Sequence, residues 1–345
     1  MATNTETMSQ KTNINPIQKT VLVVGGAGYI GSHTCKQLKK NGFTPIVVDK
    51  DISSKPWATQ FGPAFEIDLP KGIDLLDEVI KRFEIDSCIH FAAYTKVGES
   101  VENPSKYYLN NMVMTMRLLD KLLSHNVKKF VFSSSAAAYG IPKNGVANID
   151  DIPLPINPYG KTKLFVEEIL KDYYVAYGLS SVSLRYFNAA GADAESDIGE
   201  LRNDESHIIP LAIEAAKQNK GFNLFGTDFE TEDGTCVRDY VHVTDLADGH
   251  VKSLLRVHNS TVCDRFNLGS GVGTSNRMLL KTIERFAGPL TVTEMPRRAG
   301  DPPVLIADID KTINELEWMP KHSTVDNVVK TAVKWYNKIH EKEIN

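Results

Sequence analysis

The sequence predicts an α/β fold: a doubly wound parallel sheet with a smaller, discontinuous C-terminal part. Three observations predict it. Apolar, β-branched runs alternate with helix-patterned segments from residue 20 to 188, the rhythm of a parallel sheet covered by helices on both faces. A glycine-rich turn directly follows the first such run and opens a helix. After Asn188 the alternation breaks into stretches rich in Gly, Asp and Glu.

The elements follow in order. "TVLVVGG" (20–26) is a buried strand, and a helix from about 29 to 41 ends at Asn41-Gly42. "TPIVVDK" (44–50) and the short "FEID" (65–68) are the next strands. A helix at roughly 72–84 leads to the strand "DSCIHFAA" (86–93). Residues 103–125 read as one long helix, with Asn103 as cap and Pro104 at its first position. "VKKFVFSSS" (127–135) is a strand. A helix opens at Pro158 behind the cap Asn157 and stops at Gly178, and "SVSLRYFN" (181–188) is a further strand. Beyond it, "PLAIEAAKQ" (210–218) is helical, and residues 240–256 give a strand and then a helix. The remainder, to about 340, mixes short elements with Pro-rich turns.

With 345 residues, two domains are expected. We place a tail at 1–19, one domain at 20–187 with about 235–275, and a second at 188–234 with 276–340. The tail has no apolar h-region, so a mobile segment is expected rather than a signal peptide. Apolar residues at 42% and charged residues at 24% describe a globular chain. A net charge of −4 gives no general reason to expect nucleic acid or a membrane surface. No uncharged apolar run approaches the roughly 18–20 residues of a membrane span. Cys35, Cys88, Cys236 and Cys263 show no CxxC spacing and read as buried reduced thiols of a cytoplasmic protein. The nine His residues form no HExxH-like pattern, so no metal is expected.

"GGAGYIG" sets Gly25, Gly28 and Gly31 at three-residue spacing between a strand and a helix. Glycine allows the tight turn and close approach to a pyrophosphate, while the helix N-terminus offers free N–H groups. The sheet is therefore of the Rossmann type and the ligand a dinucleotide. Asp49 ends the second strand, 18 residues after Gly31. An acid there accepts hydrogen bonds from a ribose diol and repels a 2′-phosphate, which favours NAD over NADP. Lys50 beside it weakens that exclusion slightly.

"NPYGKTK" puts Tyr159 and Lys163 four apart in the first turns of a capped helix, on one face. A free Tyr titrates near 10, and bringing it near 7 takes about 4 kcal/mol. The Lys ammonium and an oxidised nicotinamide are two positive charges able to supply this. "FSSS" ends the preceding strand, where ligands of such sheets sit, and a Ser there can bond the same substrate oxygen.

Glycine loop, strand-end Ser and YxxxK, in this order, resemble the short-chain dehydrogenase/reductase superfamily. "VVGGAGYIGSHTCKQL", "IHFAAYTKVGES", "FSSSAAAYG", "NPYGKTKLFVEEIL", "LRYFNAAGA", "TEDGTCVRDYVHVTDLADGH", "NLGSGVGTS" and "PRRAGDP" together resemble its UDP-glucose 4-epimerase family over about residues 20–340. The resemblance implies a tightly held NAD that is regenerated each turnover, and a homodimer. It implies that Tyr159 removes the 4′-OH proton while the C4 hydride passes to NAD. The 4-keto sugar then turns and takes the hydride back on its other face. Lys163 would lower the Tyr pKa and bind the nicotinamide ribose, and Ser135 would orient the 4′-oxygen. By position match, Tyr29, Ile30, Asp49, Lys50, Asp68, Leu69, Phe91, Ala92, Ala93, Asn110 and Phe187 would line the NAD site. Asn188, His207, Ile208, Asn223, Phe225, Arg238, Arg298 and Asp301 would hold the UDP-sugar; guanidinium groups suit a diphosphate.

Some positions depart from the family. A Lys near the nicotinamide is replaced by Thr95, with Lys96 next to it. A Thr after the Ser is Ala. The segment 50–64 is shorter, so adenosine contacts do not transfer. Leu305 stands where a Tyr would narrow the sugar pocket. It either admits N-acetylated UDP-sugars or simply packs.

Ala136 and Ala137 occupy the places of the Asp–Glu pair that a 4,6-dehydratase needs, which argues against dehydration. A 4-epimerase for a UDP-pentose or UDP-hexuronate is an alternative; the hexuronate would favour an extra pocket cation, and none stands out. A catalytically silent NAD-binding regulator would be expected to lose Tyr159 or Lys163, and both are present.

Overall fold

A computed structural model describes residues 19–202, 204–297 and 301–341. The expected tail therefore lies outside the described residues, apart from Lys19. Seven strands form the main sheet: Thr20–Val24 (β1), Thr44–Asp49 (β2), Ala64–Glu66 (β3), Ser87–His90 (β4), Lys129–Ser135 (β5), Ser180–Tyr186 (β6) and Cys263–Leu268 (β7). Their order is β3-β2-β1-β4-β5-β6-β7, and every pairing is parallel.

Side chains alternate between the faces of a strand, and here both faces are covered. Val21, Val23, Val47, Ile89 and Val131 join the core under the helices Tyr29–Lys40 and Val243–Asn259. Leu22, Val24, Ile46, Val48 and Phe130 join the opposite core, under Leu76–Arg82, Met114–Ser124 and Pro158–Tyr177. This two-sided burial is why the strands read as continuous apolar runs.

The Pro158–Tyr177 helix has the expected bounds. Asn157 Oδ1 accepts from Gly160 N–H at 2.8 Å, and Gly178 ends it at φ 67°. The long helix of 103–125 is a composite. Asn103 caps Pro104–Tyr107, Tyr108–Val113 is π-helical, and Met114–Ser124 is α-helical. An additional helix, Val97–Glu102, precedes it.

A second sheet brings together Val146–Ala147, Asn188–Ala190, Val237–His242, Gly273–Ser275 and Val304–Ala307. Gly221–Phe225 pairs with Thr291–Met295. The helices Ile208–Lys217, Asn276–Ala287 and Val325–Glu341 close a third core over these strands. Val237–His242 thus pairs outside the main sheet, whereas β7 joins it. Buried Asp239 ties this region together, accepting from Ser270 N–H (2.6 Å), Ser270 Oγ (2.7 Å), Gly271 N–H (3.0 Å) and Ala307 N–H (3.1 Å). Cys35, Cys88, Cys236 and Cys263 are free thiols. Among the described residues, no helix is long and apolar enough to cross a membrane.

Burial lowers the pKa of His33, His242 and His250 from 6.5 to about 4, and that of His90 to about 3. Below 6.5 the unfolded chain takes up protons that the folded chain refuses, so acid favours unfolding. Folding stability, measured by urea titration, is expected to fall by at least about 2 kcal/mol as pH drops from about 6.5 to about 4.

Candidate active site

A cavity of about 880 Å³ opens at the carboxyl edge of the main sheet, where strand order reverses between β1 and β4. Gly25 lies at φ +82°, donates to Val48 O at 2.7 Å, and a Cβ on it would meet Ala92 N at 2.6 Å. A Cβ on Gly31 would meet Gly25 O at 2.2 Å. Gly28 caps the Tyr29–Lys40 helix, whose first turn faces the cavity with Tyr29, Ile30 and Gly31 in its lining. Asp49 accepts from Ala27 N–H (3.1 Å) and Asp51 N–H (3.2 Å), which holds its carboxylate at the end of β2. Its pKa is raised by burial, with those N–H bonds acting in the opposite direction. Lys50, Asp68, Leu69, Phe91, Ala92, Ala93, Asn110 and Phe187 complete the lining expected on this side. The glycine cradle, the helix N-terminus and the strand-end acid together fit a dinucleotide.

Ser135, Tyr159 and Lys163 line the same cavity. Helix and strand run in opposite directions, so the first turn of Pro158–Tyr177 meets the end of β5. The Lys163 ammonium is buried and donates to Ser133 O at 2.6 Å. It stands 4.9 Å from the Phe132 ring centre and 5.9 Å from that of Tyr159. Burial pulls its pKa down to about 7, against the raising effect of Glu167. The Tyr159 pKa is raised, chiefly by burial, while hydrogen bonding to Ser135 and the charge of Arg202 lower it. Within the chain alone burial outweighs these lowering contributions; the expected lowering also counts the charge of an oxidised nicotinamide, and the Lys163 ammonium donates to the Ser133 carbonyl.

Asn188, His207, Ile208, Arg238 and Asp301 line the far side. Asn223 and Phe225 do not reach this cavity. They line an adjoining one of about 370 Å³, to which Ile208 and Asp301 also contribute. Arg238 donates to Pro302 O at 2.7 Å and to Val237 O at 2.9 Å, with Asp301 at 3.5 Å. Arg298 lies outside the described residues. Leu305 lines neither cavity; it packs half-buried with Ala136, Tyr139 and Phe187.

Thr95 does line the main cavity, while the Lys96 ammonium turns away to pair with Asp204. The sequence reading missed Arg202, a cation in the lining whose Nε donates to Glu200 at 2.7 Å. His207 Nδ1 lies 2.7 Å from the same carboxylate. No motif marks these residues, because their loop is placed by contacts distant in sequence. Trp335 Nε1 donates to Glu200 O at 2.8 Å and Lys55 Nζ to Leu201 O at 2.8 Å.

A Rossmann-type sheet with its glycine cradle beside a Ser, Tyr and Lys constellation defines a nicotinamide-dependent enzyme. The chain belongs to the NAD dependent epimerase/dehydratase family, whose model matches residues 21–269, and within it to the UDP-glucose 4-epimerases. These are isomerases, and NAD is the family's cofactor. A UDP-glucose 4-epimerase of Rhizobium leguminosarum bv. trifolii is 44% identical over 94% of this chain and 99% of its own length. The Brucella ovis UDP-glucose 4-epimerase, solved in complex with NAD, superposes with a TM-score of 0.86 at 43% identity, covering 92% of this chain and 98% of that one. The UDP-Glc/GlcNAc 4-epimerase of Campylobacter jejuni superposes with a TM-score of 0.78 at 37% identity, covering 93% and 99%.

Gly31→Ala sets a methyl group 2.2 Å from Gly25 O. It is expected to cost about 2–4 kcal/mol of stability, measured by urea titration, and to reduce the NAD that copurifies.

Proposed function

We propose that this protein interconverts UDP-glucose and UDP-galactose by inverting C4 through a transient 4-keto sugar. The observation that carries the proposal is the meeting of Tyr159, Lys163 and Ser135 with the glycine cradle in one cavity. Bound NAD supplies the hydride acceptor and donor. Tyr159 takes the proton from the 4′-hydroxyl as hydride leaves C4, and returns it at the end. Ser135 bonds the same oxygen and holds it in line with the phenol. The Lys163 charge would favour the phenolate, and with NAD bound its ammonium would hold the nicotinamide ribose. Asp49 would accept from the adenosine ribose.

Asn188, His207, Ile208, Arg238 and Asp301 surround the UDP-sugar in this reading, with Asn223 and Phe225 at the adjoining uridine end. Residues 20–187 with about 235–275 chiefly serve the cofactor, and 188–234 with 276–340 the sugar nucleotide, to which Arg238, on a strand outside the main sheet, also contributes. Arg202 is balanced by Glu200, which favours a neutral hexose over a hexuronate. Ala136 and Ala137 offer no acid or base for dehydration. Exposed Val101, Leu109 and Phe165, on neighbouring helices, support a homodimer. Reduced thiols support a cytoplasmic location, and a UDP-galactose substrate would place the enzyme in galactose metabolism.

Purified protein is expected to convert UDP-galactose without added NAD. Tyr159→Phe is expected to lower kcat by about 10²–10⁴-fold, since it removes the acid–base group. Ordinary turnover in that variant would exclude Tyr159 as the base. UDP-GalNAc and UDP-arabinose belong in the same assay. Failure of all three substrates to give a 4-epimer would remove the epimerase reading.

A further inference from the structure

Tyr159, Lys163 and Glu167 are spaced four apart on the Pro158–Tyr177 helix, so they form one stripe. That stripe meets three consecutive serines at the end of β5. Ser135 lines the cavity beside Tyr159, the Ser133 carbonyl takes Lys163, and Ser134 Oγ donates to Glu167 Oε1. Glu167 in turn accepts from Arg185 on β6, Nε to Oε1 at 2.9 Å and Nη2 to Oε2 at 2.5 Å. Both side chains are 0% exposed. Arg185 is in register with Ser134, and its guanidinium carbon lies 4.5 Å from the Tyr139 ring centre. The Tyr139 hydroxyl donates to Asn267 Oδ1 on β7 at 2.6 Å.

An apolar pair of similar volume often stabilises a core as well as a buried ion pair does. Stability alone therefore does not account for these charges. Resting on the epimerase reading above, we propose that Glu167, clamped by Arg185, is a positioning residue for the reaction. It fixes the end of β5 through Ser134 and holds an anion one helical turn from the Lys163 ammonium. The groups facing Lys163 are Tyr159 and Glu167 from its own helix, His90 from β4, and Ser133 and the Phe132 ring from β5. Among these, Glu167 supplies the negative charge, which raises the Lys163 pKa against the larger lowering effect of burial. Tyr159 feels this only through Lys163, whose charge makes the phenolate easier to form.

The test uses the full chain with its NAD. Glu167→Gln and Ser134→Ala each remove one link. Glu167→Met combined with Arg185→Met replaces the pair by apolar chains and serves if Glu167→Gln, which leaves Arg185 unpaired, fails to fold. Melting temperature, NAD content, kcat and KM for UDP-galactose are measured. The pH at which Tyr159 ionises is read as the tyrosinate absorbance difference between each protein and its Tyr159→Phe counterpart. The folded double variant is expected to lose about tenfold or more in kcat at pH 7, with KM within about threefold and NAD content retained. Tyr159 is expected to ionise at higher pH, and Ser134→Ala to show a smaller kcat loss. A folded double variant with the parent's kcat and tyrosinate titration overturns the proposal, as does an unchanged kcat in Ser134→Ala. Absence of turnover in the parent overturns the epimerase reading instead, and the tyrosinate titration then decides the role of Glu167 by itself.

Discussion

Parallel pairing is the constraint on which the rest of this structure depends. Because all seven strands point one way, all their carboxyl ends lie on one edge, and each connecting helix must return against them. Helix N-termini then gather on the same edge as strand ends. The glycine cradle after β1, Asp49 at the end of β2, Phe91 after β4, Ser135 at the end of β5 and Phe187 after β6 become neighbours for this reason. The first turn of Pro158–Tyr177 reaches the same edge because that helix runs from β5 back to β6. The crevice opens between β1 and β4, where successive connections go to opposite sides.

Electrostatics at this edge follow from burial. Tyr159 and Lys163 are both pushed toward their neutral forms, one upward in pKa and the other downward. A phenolate beside an ammonium is the state in which each charge reduces the other's desolvation cost. Within the chain alone, burial therefore favours the neutral form of each group. Around the two, the polar groups of the β5 end are matched one by one. The Ser133 carbonyl faces an ammonium, and the Ser134 hydroxyl a carboxylate that Arg185 compensates from the neighbouring strand.

Much of the fold was legible in the sequence because its signals are local. Asn157, Pro158 and Gly178 bound their helix by backbone chemistry that acts within a few residues, and the observed ends coincide with them. Two-sided burial wrote β1, β2, β4 and β5 as apolar runs. β7 escaped notice since Cys263–Arg265 are only half-buried and "CDRFNL" carries no such run. The π-helical turn at Tyr108–Val113 has no signature in residue type either. Within it Asn111 accepts from Tyr94 N–H and donates to Tyr94 O, both at 2.9 Å, contacts made 17 residues away.

The sequence by itself determined the class of chemistry. Glycines at three-residue spacing, an acid closing the second strand, and a Tyr and Lys one helical turn apart each encode a backbone or side-chain geometry that holds wherever such elements form. Tertiary structure decided which charges meet. It sent Lys96 to Asp204, brought Arg202 into the cavity beside Glu200, and packed Leu305 behind Phe187 rather than into either cavity lining. It also turned Glu167 from an ordinary helix acid into the buried partner of Arg185. Such outcomes depend on distances between elements remote in the chain. Coulomb and desolvation energies change steeply with those distances, while the order of residues along the chain does not record them.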